Sequence, residues 1–236
     1  MRKSIFGVMV LVWSLGAGEI YATFNVAAQK DAKLAFDASG IVKSVAAEEG
    51  SFVKQGAVLA ALENADIKAT LEMAKTALKF AKADYERQLK VKELIDAGKF
   101  DTFAFKYEDA KNQLAFAQAK YDKTFLKAPF DGVIYAKTIE IGDTVSGMML
   151  KTVFMIQSKS ERKLVLEFDQ KYHSVVKAGQ TFTYKVDGDE KTYSGSIEKI
   201  YPNANNANRK IIAEVKAKDF LTGLFGTGSI IVPEAK

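Results

Sequence analysis

The chain has 236 residues, 48% of them hydrophobic and 27% charged, so it can bury a core and its length suits one or two domains. It has no cysteine and a single histidine, His173, which excludes disulfides, thiolate chemistry and His-cluster metal sites and leaves little basis for acid–base catalysis. The net charge of +5 is mild; it suits lysine-rich solvated faces, an acidic partner or a membrane surface, and nucleic acid is not an expected partner.

Met1-Arg2-Lys3 is a positive start. The apolar run Ile5–Leu15 that follows is too short to span a bilayer comfortably, and the small residues Gly16, Ala17 and Gly18 come next. This is the pattern of a secretory signal peptide over residues 1–18, with Ala22 as a second cleavage point and an uncleaved anchor as the alternative. No cysteine follows the run, which closes the lipoprotein route. The mature chain is expected to be soluble outside the cytoplasm.

EIYATFNVAA alternates, with Ile20, Ala22, Phe24 and Val26 on one side, and predicts a half-buried strand. GIVKSVAAEEGSFVKQGAVLAAL predicts several short strands with Gly40, Gly50 and Gly56 at turns. Composition changes at Glu63. From there to about Ile95 there is no Gly or Pro, and Leu71, Ala74, Leu78, Ala81 and Tyr85 recur at steps of three and four. Asn64 is the expected N-cap. After Ala97-Gly98-Lys99 a second seam reads Phe103, Tyr107, Ala110, Leu114, Ala117, Tyr121 and Thr124. Two such seams predict an antiparallel helical hairpin with arms of roughly 35–45 Å, long enough to project. Pro129 ends it, and short strands resume.

From about Glu161 the text is β-rich again. KLVLEF is a strand, and DQKYHSVVKAG a short helix closed by Gly179. TFTYKV and TYSGSIEKI flank a turn at Asp187-Gly188-Asp189. YPNANNAN is a polar loop, with Tyr201-Pro202 as a minor contact candidate. RKIIAEV and GTGSIIV are the last strands of a small barrel.

The two short β segments are copies of one pattern. At an offset of 92, Gly40 lies over Gly132, Gly50 over Gly142 and Val53 over Val145; Gly56 matches Gly147 after a one-residue deletion. Both halves resemble those of a lipoyl or biotinyl carrier domain. A carrier joins its halves by a tight hairpin with one modifiable Lys. Here the join is the whole segment from Glu63 to Lys127.

LAFDASGIVKSVAAEEGSFVKQGAVLAALE (34–63), LKAPFDGVIYAKTIEIGDTVSG (126–147), NNANRKIIAEV and GTGSIIVP together resemble the periplasmic adaptor, or membrane fusion protein, family. The resemblance implies an α+β, elongated, multidomain chain. An α-helical hairpin (64–127) is inserted in a split lipoyl-like β-sandwich (36–63 and 128–158), beside a small β-barrel (19–35 and 159–236). It implies a non-catalytic periplasmic protein without cofactor or metal. Its barrel would meet an inner-membrane transporter, and its hairpin tip a TolC-type outer-membrane channel. Copies would gather into a ring that seals a duct, with Gly50, Gly56, Gly142 and Gly147 as turns of the lipoyl-like part.

The family's channel-docking pattern of Arg, then Leu four residues on, then Ser seven further, falls here on Lys90, Leu94 and Asp101. Lys loses the planar fork of Arg. Asp can cap the second helix as Ser would, while adding charge. Larger members of the family continue into a membrane-proximal domain built from both termini, whereas Lys236 here follows the last strand directly; the resemblance then implies that the transporter contact falls on the barrel, with a few residues of the mature N-terminus. It favours a proton-driven resistance–nodulation–division (RND) partner over an ATP-driven (ABC) one.

Blander readings stand beside these. Lys90 and Asp101 read equally as solvated hairpin surface. Asp187 and Asp189 read as a hairpin turn. Met148, Met149 and Met155 read as core rather than a soft-metal site, and His173 as surface rather than a pH sensor. The alternative function is a lipoyl- or biotinyl-type carrier domain of an acyl- or carboxyl-transfer enzyme. It lacks its Lys hairpin and a cytosolic address.

Overall fold

The computed structural model describes residues 17–233. The apolar run of the expected signal peptide lies outside them. In chain order the elements are β1 (Ala17–Ala28), β2 (Asp31–Leu34), β3 (Gly40–Val45), β4 (Phe52–Val53), β5 (Val58–Leu62), α1 (Ala65–Leu89), α2 (Ala97–Asp122), β6 (Phe125–Lys127), β7 (Gly132–Lys137), β8 (Thr144–Val145), β9 (Phe154–Gln157), β10 (Arg162–Asp169), β11 (Thr181–Val186), β12 (Tyr193–Asn205), β13 (Lys210–Ala217) and β14 (Phe225–Pro233). They form two compact units, one up to Gln29 and from Ser160 onward, the other from Lys30 to Lys159.

In the first unit the strands close into a barrel in the order β1-β10-β13-β12-β11-β14. Strand alternation decides what it buries. Ile20, Ala22, Phe24 and Val26 of β1 point inward, as do Leu164, Leu166 and Phe168 of β10. Phe24 meets Phe182 and Tyr184 edge-on, with ring centroids 5.9 and 5.4 Å apart. Ala22 sits mid-strand opposite Gly228, so cleavage there would remove the outer half of β1.

Two sequence expectations fail in this unit. DQKYHSVVKAG forms one 3-10 turn (Gln170–Tyr172), not a helix. Asp169 accepts from Lys171 N at 2.9 Å and ends the strand, while Val176 is drawn into the barrel core. His173 is exposed, its Nδ1 3.2 Å from Gln170 O. YPNANNAN is not a loop throughout, because β12 runs on to Asn205. Its register slips between Ile200 and Ala204, and that irregularity accommodates Pro202. The turn follows, with Asn205 and Asn208 side chains accepting from Ala207 N and Lys210 N at 2.8 and 3.1 Å. At the other hairpin, Asp189 accepts from Tyr193 Oη at 2.7 Å and Lys191 N at 2.9 Å. These two bonds hold its carboxyl below the usual range and fasten the turn.

On the barrel wall Glu214 accepts from Lys163 at 2.6 Å and Tyr201 at 2.8 Å. Burial raises the Glu214 pKa, but both hydrogen bonds outweigh it and hold the carboxyl below its ordinary value. A depressed carboxylate stabilises the fold above its unfolded pKa, and that contribution disappears as pH falls through the folded one. We therefore expect Glu214→Gln to lose about 1–2 kcal/mol at pH 7. The gap from wild type should close in acid below the ordinary carboxylate range. Urea melts across pH 3–7 measure it.

The second unit holds two four-stranded sheets, β2-β9-β7-β4 and β6-β5-β3-β8, and α1 and α2. Asp31–Leu34 belong here, pairing with β9, not to the barrel. Each half of the repeat lends its short strand to the other half. Gly40 pairs with Val145, and Gly132 with Val53. The connecting hydrogen bonds repeat the offset of 92 read from the sequence. Gly50 N donates to Ile134 O at 2.8 Å and Gly142 N to Val42 O at 2.9 Å. Ile134 N donates to Ser51 O at 3.0 Å and Val42 N to Asp143 O at 2.8 Å. Side chains add ties between the halves, from Lys54 to Asp131 at 2.8 Å and Lys137 to Glu48 at 2.9 Å. Val42, Leu59 and Leu62 of one half share a core with Ile134, Val153, Phe154 and Ile156 of the other.

Candidate functional site

The helical hairpin leaves from between β5 and β6, which pair antiparallel from Val58–Lys127 to Ala61–Phe125. Its base is clamped there. Leu62 N donates to Thr124 O at 2.9 Å and Glu63 N to Ile41 O at 2.8 Å. Lys123 pairs with Asp37 at 2.7 Å. Asn64 stands at the N-cap position of α1 but its side chain caps nothing. Instead its Nδ2 donates to Thr124 Oγ1 at 2.9 Å, and that hydroxyl donates to Tyr121 O at 2.7 Å. Thr124, read from sequence only as the end of a seam, is a buried polar link between the two helix ends. We expect Thr124→Val, close in shape, to cost about 1–2 kcal/mol through the lost hydrogen bonds. Denaturant melts of the variant and of Asn64→Ala check it, and the two losses should not add.

α1 and α2, of 25 and 26 residues, are each about 38 Å long. They pack on each other far more than on any strand. The seam residues are the less exposed ones on each helix, with Leu71, Ala110 and Ala117 buried. Near the tip Tyr85 sits between Phe100 and Tyr107, with centroids 5.6 and 5.2 Å away, and Lys92 lies 5.0 Å from the Phe100 ring. Beyond this aromatic plug a 3-10 turn (Lys92–Leu94) reverses the chain.

α2 starts earlier than its seam predicts, at Ala97, with Gly98 inside it. Its cap is Asp96, whose carboxylate accepts from Lys99 N at 3.1 Å. Asp101 therefore does not cap the helix; it is an exposed residue of the second turn. Ile95 and Phe100 stand at the staple spacing around that cap, a signal present in the sequence. Lys90 ends α1 and is exposed. Leu94 is 85% exposed, with Leu89 and Val91 partly exposed beside it. Over residues 90–101, Lys90, Lys92 and Lys99 balance Glu93, Asp96 and Asp101. The tip thus presents an apolar side chain in a charged but neutral surround, held by a plug that does not use it.

Gly50, Gly56 and Gly142 have φ of +85°, +81° and +94° and close the turns expected of them. Gly147 is different. Its φ is not positive; a Cβ there would lie 2.5 Å from Asp37 O, and its N–H donates to Ser39 Oγ at 3.0 Å. It is a close-approach glycine, which spacing alone does not distinguish from a turn. The methionine expectation is overturned in part. Met155 is half-buried in β9, but Met148 and Met149 are exposed together with Leu150. They lie in the connection 146–153, four residues longer than its counterpart 54–57 in the first half.

Among the described residues no group of His, Cys, Asp and Glu could hold a metal, and no helix is long and apolar enough to cross a membrane. A family profile described as the CzcB-like barrel-sandwich hybrid domain matches residues 30–157, more than half of the chain. The chain belongs to the membrane fusion protein, or periplasmic adaptor, family. The matched range is the second unit described above, nearly residue for residue. No curated protein matches the sequence.

Solved adaptor structures share the fold. A MacA–MexA chimera containing the Pseudomonas aeruginosa MexA α-hairpin domain superposes with a TM-score of 0.82 at 19% identity, covering 93% of this chain and 81% of its own. MacA from Actinobacillus actinomycetemcomitans gives 0.74 at 19%, with 92% and 80% covered. The membrane fusion protein Spr0693 from Streptococcus pneumoniae R6 gives 0.72 at 15%, with 92% and 99% covered.

Proposed function

We propose that this protein is the adaptor subunit of a tripartite export system. It acts in the periplasm, without catalysis, between an inner-membrane transporter and a TolC-type outer-membrane channel. The lipoyl-like part (36–63 and 128–158) anchors the hairpin (64–127). The barrel (17–29 and 160–233) offers the transporter contact, to a proton-driven RND protein first and an ATP-driven ABC protein second. Lys90, Leu94 and Asp101 face the channel, and copies gather into a ring around the duct.

The observation that carries this reading is the hairpin itself. Two halves of one small domain are clamped by hydrogen bonds that obey its internal repeat, and about sixty residues leave from between them to end in an exposed leucine. A chain gains nothing for its own stability from such a tip, so its use lies in a partner.

The carrier alternative is not favoured, since helices occupy the join where a carrier presents its modifiable lysine. Intact-mass measurement of the protein from its native cells should show no lipoyl or biotinyl addition. The adaptor reading is tested by affinity purification of the tagged full chain from membranes solubilised in mild detergent. An inner-membrane transporter should co-purify; recovery without any transporter would overturn the reading.

A further inference from the structure

The two halves of the second unit serve as controls for each other. In both, the chain leaving the short cross-strand is tied at the same point. Gln55 N donates to Asp131 Oδ1 at 2.8 Å, and Gly147 N, 92 positions on, donates to Ser39 Oγ at 3.0 Å. The first half then reaches β5 after Gly56 and Ala57. The second half carries four further residues, Met148-Met149-Leu150-Lys151, before Thr152, whose carbonyl accepts from Thr138 Oγ1 at 2.9 Å. These four stand out from the sheet between two fixed ends. Met148, Met149 and Leu150 are 93%, 78% and 69% exposed.

Met149 and Lys151 line a cavity of about 350 Å³, a size that suits a small molecule. Its floor is apolar: Phe36, Ile139 and Val153 are buried side chains, and Val145 stands beside them. The repeat itself does not ask for this floor. At the offset of 92, Phe36 lies over Ala128 and Ile139 over Ala47. Two polar groups of the lining are already used by the fold. The Thr138 hydroxyl donates to Thr152 O, and Asp143 Oδ2 accepts from Glu140 N at 2.9 Å within its own turn. The remaining polar lining is the hydroxyls of Thr144 and Ser146 and the ammonium of Lys151. Lys151 is exposed and, among the described residues, has no carboxylate partner.

The geometry points to a binding site for a small apolar molecule that carries one anionic group, of the class of medium-chain fatty acids and aryl sulfonates. The apolar body lies on Phe36, Ile139 and Val153 and is covered by Met149, an unbranched side chain that fits ligands of different shape. The anion meets the Lys151 ammonium, with the Thr144 and Ser146 hydroxyls as further donors. This also gives the exposed methionine a use that the fold does not supply. The site lies within one unit of a single chain, so the inference goes beyond the adaptor reading and needs no partner for its test.

The probes are anilinonaphthalene sulfonate and phenylnaphthylamine, the same apolar body with and without the anion. Fluorescence titration of the full chain should show one saturable site for the sulfonate, about tenfold tighter than for the amine and cleared by decanoate. Lys151→Gln should weaken the sulfonate by about tenfold and leave the amine unchanged. Deleting Met148–Lys151 shortens the connection to the length of its counterpart 54–57. That variant should keep the circular dichroism of wild type and lose the site for both probes. Should the deletion not fold, Ser146→Phe, which fills the cavity from its rim, takes its place with the same expected loss. Full sulfonate binding by the shortened or filled variant overturns the inference. So do equal affinities for the two probes, an unchanged sulfonate affinity in Lys151→Gln, or the absence of saturable binding.

Discussion

Leu94→Asp is expected to abolish export and leave the fold untouched. Leu94 is 85% exposed and lies outside the Tyr85–Phe100–Tyr107 plug that holds the tip together. Surface changes of this kind usually stay within about 0.5 kcal/mol of wild type. A carboxylate at the centre of a docked interface costs several kcal/mol. Each 1.4 kcal/mol is about tenfold in affinity, so docking should fall by two or more orders of magnitude. Circular dichroism and melting temperature should match wild type, while export in cells falls to the level of a deletion strain. Asp101→Arg should behave alike, because Asp96 and not Asp101 caps α2. Wild-type export from both variants would remove the tip from the mechanism.

Phe154→Ala is expected to unfold the second unit and leave the barrel standing. Phe154 is fully buried in the core shared by both halves. Truncation of such a residue costs about 3–5 kcal/mol, a large part of what holds an ordinary domain together. The hairpin depends on the same clamp, since β5 and β6 hold its two ends. Narrow-seam helices of this length keep little helicity without tertiary support, so helical signal should fall along with the sheets. The barrel has its own core around Phe24, Leu166 and Phe182. Melting followed at the helical band should shift down steeply. Hydrogen exchange should still find β1, β10 and β14 protected.

Much of this was legible in the chain before any coordinates. Strict alternation in β1 named its buried side chains. The offset of 92 marked Gly40 and Gly132, and Val53 and Val145, as equivalent positions of two halves that pair; which of them are partners, Gly40 with Val145 and Val53 with Gly132, came only with the structure. Steps of three and four located both helices.

The failures have physical causes. Asn64 has the right side chain for a cap, but Thr124, sixty positions away, competes for it. Gly98 looks like a break, yet Asp96 anchors the helix across it. Tyr201-Pro202 argues against a strand unless a bulge is there to receive it, and the bulge is set by the neighbouring strand β13. Met148-Met149-Leu150 reads as core by composition. Aligning the two halves shows that it falls in the four-residue excess of one connection, where the repeat requires nothing buried. Gly147 shows a limit of another kind, for its constraint comes from Asp37, across the repeat, and not from its own backbone.

The most direct test of the account is site-specific photocrosslinking from position 94 in intact cells, with the captured protein identified by mass spectrometry. The account predicts a TolC-type outer-membrane channel. Capture of an inner-membrane protein instead, or of nothing while export proceeds, would contradict it.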